Sequence, residues 1–111
     1  MIFTANIRLL DPSEGGRTHP ANQGYRPTIQ FEGHKWLLAI KITFLDDRGL
    51  QFAQGGAVPR VVRAEVRMPN SQLTGIDIKP GSRFWLTEGT HRVAECVVKD
   101  VIDTADYLLG T

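Results

Sequence analysis

Few residues of this 111-residue chain have types and spacings that suggest chemistry: three histidines, one cysteine, a handful of serines, a spaced series of aspartates and a set of arginines. Neutral imidazole is the commonest protein ligand for transition metals, which makes His19, His34 and His91 the first candidates. Their spacing matches no ligand motif, and all three fall in loops or at strand ends, so they read as surface histidines and no metal is assigned. Cys96 alternates with Ala94 and Val98 on the apolar side of a strand, where a thiol packs as a small inert hydrophobe rather than acting as a nucleophile. Ser13, Ser71 and Ser82 stand beside Pro, Asn or Gly in polar turns, and none occupies the G-x-S-x-G elbow of a serine hydrolase. Asp100, Asp103 and Asp106 recur every third residue and read as a solvated acidic stretch. The G-x-x-x-x-G-K-[ST] phosphate loop does not occur, and the pairs Gly15-Gly16 and Gly55-Gly56 are explained by turn geometry. These observations predict a protein that is not an enzyme and needs no cofactor.

The arginines are more informative. Arg60, Arg63, Arg67 and Arg83 crowd the second half, and Arg63 and Arg67 share a strand face with Glu65 between them. Such a stripe fits either a local phosphate-binding surface or an ordinary solvated exterior.

The elements that must carry these residues announce themselves by a period of two. Phe3, Ala5, Ile7 and Leu9 alternate with Thr4, Asn6 and Arg8, and after a polar stretch from Asp11 to Gly24, Ile29 and Phe31 alternate with Thr28, Gln30 and Glu32. From Trp36 to Leu45 the most apolar segment puts Trp36, Leu38, Ile40, Ile42 and Phe44 on one face and predicts a central strand. Asp46-Asp47-Arg48-Gly49 supplies turn chemistry, with a return strand expected near Leu50 to Ala53. Val61 to Met68 alternates strictly and ends at Pro69; Leu73 to Ser82 suggests a buried loop or a short strand. A closing hairpin is expected from Arg83–Thr87 and Arg92–Ile102 around Glu88-Gly89-Thr90-His91. The tail, Asp103 to Thr111, carries Ile102, Ala105 and Leu109 near helical spacing but is too short for an independent helix. Short strands without long helices predict an all-β domain, barrel or sandwich, and at this length a barrel is favoured because closure removes exposed edges.

Composition agrees with one ordinary domain: 41% of residues are hydrophobic and 23% charged, and 13 basic against 12 acidic residues leave a net charge of +1. No bulk charge draws the chain to DNA or to an anionic membrane, so any polyanion site has to be local. One cysteine makes the cytoplasm the default compartment. The first residues, Met1 to Arg8, lack the pattern of a signal peptide, and no apolar run has the length of a membrane span.

Two stretches are more specific. Asp11-Pro12-Ser13-Glu14-Gly15-Gly16-Arg17-Thr18-His19-Pro20, followed by Gly24-Tyr25-Arg26-Pro27, resembles the opening of the third, C-terminal β-barrel domain of bacterial elongation factor Tu, where the pattern runs E-G-G-R-H-T-P and then G-Y-R-P-Q-F. Arg83-Phe84-Trp85-Leu86-Thr87-Glu88-Gly89-Thr90-His91-Arg92-Val93-Ala94 resembles that domain's closing hairpin, R-F-A-I-R-E-G-G-R-T-V-G. The resemblance implies a single antiparallel barrel of six strands over residues 1–102, with residues 103–111 as a tail. It also implies a stand-alone copy of a domain that, in the factor, follows a GTPase domain and contacts the backbone of the tRNA T-stem. On that basis the expected partner is a tRNA-like RNA or a translation-related protein, through Arg17, Thr18, Arg26, Thr28, Glu88, Gly89 and Arg92. The chain departs from the family in the order Thr18-His19, in Thr28, and in Thr90 where the family's hairpin has a second glycine. The other expectation is a protein-interaction or oligomeric structural role, using an apolar surface around Trp36, Leu37 and Trp85.

Overall fold

The alternating segments become seven strands in the computed structural model, which describes residues 1–72 and 75–105. They are β1 (Ile2–Leu9), β2 (Thr28–Phe31), β3 (Leu38–Ala39), β4 (Lys41–Leu45), β5 (Val61–Arg67), β6 (Arg83–Glu88) and β7 (His91–Asp103). Two single turns of 3₁₀ helix, Pro12–Glu14 and Asn70–Gln72, complete the regular structure, and no α-helix occurs among the described residues. All pairings are antiparallel, in one sheet ordered β3-β2-β6-β7-β1-β5-β4.

Alternation sets the register. Phe3, Ala5, Ile7 and Leu9 of β1 and Val62, Ala64 and Val66 of β5 all point inward, and a one-residue slip would turn each of these sets out to solvent. The centre of the core is aromatic. The Phe84 ring meets Phe3 edge-on at 5.8 Å and Phe31 at 5.4 Å, so β1, β2 and β6 are tied through one contact cluster. The 13-residue β7 pairs with β6 near its start and with β1 over most of its length, and two register shifts along β1 bend it around the core.

The strand count is seven rather than six because the Trp36–Leu45 segment is split. Ile40 separates β3, which pairs with β2 at Thr28–Ala39 and Ile29–Leu38, from β4, which pairs with β5. This segment is therefore not a central strand: it supplies both ends of the sheet, and the sheet curls until those ends are one residue apart in the chain. Leu38, Ile40, Ile42 and Phe44 are buried as the alternation predicts, but Trp36 is 60% exposed because pairing begins only at Leu38. The expected return strand at Leu50–Ala53 reduces to a single bridge between Leu45 and Gln51; the Asp46 carboxylate, accepting from the amides of Arg48 and Leu50 at 2.9 Å, turns the chain tightly instead. Ile76 and Ile78 pack from a loop rather than a strand. Strand β7 runs on to Asp103, so Ile102 is a strand residue; Leu109 and the rest of the tail beyond Ala105 lie outside the described residues.

The strand that closes the sheet is finished by side chains. The buried Gln23 amide pairs with the main chain of Phe44, accepting from its N–H at 2.9 Å and donating to its carbonyl at 3.0 Å. Gln72 does the same at Ala39, accepting at 3.0 Å and donating at 2.7 Å. Each glutamine thus stands in for one peptide group of a missing neighbour strand, one on β4 and one on β3.

Candidate functional site

The loop that leaves β1 is built before it can present anything. Asp11 caps the Pro12–Glu14 turn, its carboxylate accepting from the Glu14 amide at 3.0 Å while the Glu14 carboxylate accepts from the Asp11 amide at 3.2 Å. Gly16 then passes so close to the preceding strand that a Cβ there would lie 2.0 Å from the Leu10 carbonyl oxygen. The Glu-Gly-Gly sequence is accordingly a device for folding the loop back, and Arg17 follows directly from it.

Arg17 meets the end of the closing hairpin. Its Nη1 lies 2.5 Å from the Glu88 carboxylate, its guanidinium is stacked 4.6 Å over the Tyr25 ring, and its Nε donates to the His19 carbonyl at 3.3 Å. The Tyr25 hydroxyl donates to the same Glu88 oxygen. Partial burial acts to raise the Glu88 pKa, but the hydrogen bonds from Tyr25 and Arg17 outweigh it and hold the carboxyl below the usual range. Burial and the bond to Glu88 push the Tyr25 hydroxyl well above its ordinary value, so it stays a donor. Two of the residues expected to face a partner, Arg17 and Glu88, are thus brought together and spend their charges on each other.

The other expected residues scatter around this cluster. Gly89 forms the turn of the β6–β7 hairpin with Thr90 and sits at φ +58°, in the region that favours glycine. Thr28 is one rung away, paired with Thr87 through hydroxyls 2.5 Å apart. Arg92 stands over Trp85, its guanidinium carbon 3.6 Å from the ring centre, in a cation–π pair. Thr18 is exposed beside Arg17.

Arg26 points elsewhere. It lines a concavity of about 370 Å³ between the loop after β1 and the outer faces of β4 and β5, together with Lys41, Thr43, Gln51, Gln54, Glu65 and Arg67. Arg67 is held by Glu65 at 2.6 Å, whereas Arg26 and Lys41 form no ion pair among the described residues. The groove therefore offers two uncommitted positive charges, two side-chain amides and a hydroxyl. Lys41, Gln51 and Gln54 were not singled out in the sequence: Lys41 shows only as a polar position of β4, and its nearness to Arg26 arises from folding.

Cys96 is buried, and burial pushes its thiol well above the ordinary value. Among the described residues no three His, Cys, Asp or Glu side chains gather closely enough to hold a metal ion, and no helix is long and apolar enough to cross a membrane. No family model matches the chain.

Proposed function

We propose that this chain is a non-enzymatic, cytoplasmic binding module whose barrel is of the elongation factor Tu C-terminal type, six-stranded if the β3–β4 segment is counted as one strand interrupted at Ile40. Its partner is the backbone of a structured, tRNA-like RNA. The observation that carries this reading is the groove holding Arg26 and Lys41 unpaired beside Thr43, Gln51 and Gln54. Cations answer phosphates, while amides and hydroxyls answer ribose hydroxyls, a combination that holds an RNA backbone without reading its bases. Arg17, Tyr25 and Glu88 fix the loop against the hairpin and so hold Arg26 at the groove. Thr18, Thr28, Gly89 and Arg92 lie around that frame and contribute shape.

Fluorescence anisotropy with purified tRNA tests this. Arg26→Ala and Lys41→Ala are each expected to weaken binding similarly for unrelated tRNA sequences, whereas Arg48→Ala, at the Asp46 turn and not among the groove's lining residues, leaves it unchanged. Binding of tRNA unaffected by either groove variant, or none at low salt, overturns the proposal.

One observation favours a second reading, a protein-interaction or oligomeric role: Trp36 and Leu37, adjacent ahead of β3, are 60% and 39% exposed. A stable oligomer in sedimentation velocity that dissociates with Trp36→Ser selects this reading, and capture of a translation-related protein through the Arg26 groove would move the partner from RNA to protein.

A further inference from the structure

A second concavity, independent of the Arg26 groove, lies at the end of the sheet where β1 stops and β5 and β7 begin. Its volume, about 310 Å³, is at the lower edge of the roughly 300–1,000 Å³ usual for ligand pockets. The floor is apolar: Leu9, Val58 and Val93 close it from below. One wall is stiff, because the loop after β1 and the loop before β5 run together there, with the Val58 amide donating to the Ala21 carbonyl at 3.0 Å and the Gln23 amide to the Gly56 carbonyl at 2.8 Å.

The rim has the opposite character. Arg60 makes no side-chain hydrogen bond or ion pair among the described residues; the Asp11 carboxylate acts on it only through space, its Oδ1 accepting from the Ser13 hydroxyl at 2.5 Å and from the Glu14 amide. Arg17 faces the same opening, held in place by Glu88 and Tyr25, and the Thr18 hydroxyl stands beside it with no hydrogen bond among the described residues. The pocket thus combines a dry floor with a cationic, donor-rich lip.

We infer that this end pocket binds a small organic acid, a carboxylate carrying a compact branched apolar body, with the body on Leu9, Val58 and Val93 and the carboxylate on the guanidinium of Arg60. The planar fork of an arginine matches a carboxylate through two parallel hydrogen bonds. A sugar or other polar body is disfavoured because the apolar floor side chains offer no partner for its hydroxyls, and an amine is repelled by Arg60. Arg17, its charge already met by Glu88, contributes a fixed wall rather than a contact that must be broken.

The test is an amide-detected NMR titration of the full chain with isocaproate, with isocaproamide as its neutral counterpart. Isocaproate is expected to shift the amide signals of Val58, Arg60 and Val93 and to bind about tenfold more tightly than the amide, a difference of ~1.4 kcal/mol. Arg60→Gln should erase that difference while the rest of the spectrum superimposes on the parent, and Arg60→Lys should retain part of it. Lys41→Gln, in the other groove, should leave it intact, which separates this site from the RNA-binding reading. Equal affinities for acid and amide, shifts confined to other surfaces, or no shifts at all would overturn the assignment.

Discussion

Glu88 accepts hydrogen bonds from Tyr25 and Arg17 at once, and that double commitment gives it a pH signature. Its folded pKa lies below the ordinary 4.5, so the carboxylate is favoured in the folded state. The associated stability is fully present above the unfolded pKa and is lost as pH falls through the folded value. Glu88→Gln keeps an acceptor but cannot titrate. It should cost about 1 kcal/mol at neutral pH, because the pair is partly exposed and screened. Below pH ~4 the difference from the parent should shrink. Urea denaturation at a series of pH values measures this, and a difference that stays constant into acid would show that Glu88 acts by packing alone. Cys96 supplies a second measurement at this scale. Buried, and with its thiol pushed up by that burial, it should resist iodoacetamide in the folded protein and react once urea unfolds the chain; rapid labelling without denaturant would contradict its place in the core. The sequence singles out Arg17 and Glu88 only through the family resemblance, as candidate contacts to an outside partner and not as partners of each other. They are 71 residues apart, and only the hairpin's position in the sheet makes them neighbours.

The strands most legible in the sequence were those with one wet face. In β1 and β5 the outward residues, Asn6, Arg8, Arg63 and Glu65, are polar, so the period of two marks both extent and direction. The Trp36–Leu45 segment misled because its alternation continues through residues that do different jobs: Trp36 precedes the sheet, and Ile40 is the point where pairing passes from β2 to β5. Periodicity reports which side chains point inward, and carries no information on which strand receives the hydrogen bonds. For the same reason the sequence does not single out Gln23 or Gln72. Gln23→Ala removes a buried amide, strands the Phe44 N–H and leaves the Phe44 carbonyl with only the Phe52 amide at 3.4 Å, so a loss of about 1–3 kcal/mol is expected in urea melts. Gln72→Ala, closer to solvent, should cost about 1 kcal/mol or less, because water replaces the amide at Ala39. Hydrogen exchange should accelerate at Phe44 in the first variant and at Ala39 in the second. Gly16→Ala tests the loop instead: its new Cβ collides with the Leu10 main chain, which has no rotamer to yield, and the loop has to shift. Loss of the Arg17–Tyr25 stacking in its NMR spectrum, with the core signals retained, is the expected result.

Across the whole molecule, a net charge of +1 means that RNA affinity cannot come from a general positive field. Three arginines are neutralised locally: Arg8 by Glu14 and Glu95, Arg17 by Glu88, Arg67 by Glu65. What remains in the Arg26 groove is two cations, Arg26 and Lys41. Counterion release then limits the salt dependence, since each phosphate neutralised contributes roughly −0.7 to −0.9 to the slope of log K against log salt. The expected slope for tRNA is about −1.5, and Arg26→Ala or Lys41→Ala should each flatten it by about 0.7–0.9. A slope several times steeper would mean that phosphates are met over a much broader face than the groove, with Arg60, Arg63 and Arg83 recruited. A slope near zero would mean that the partner is not held through phosphates, and would shift the weight of the structure to the exposed Trp36 and Leu37. Because the arginine pairs fix how much positive charge is left over, the measured slope counts the free cations that the fold presents to its partner.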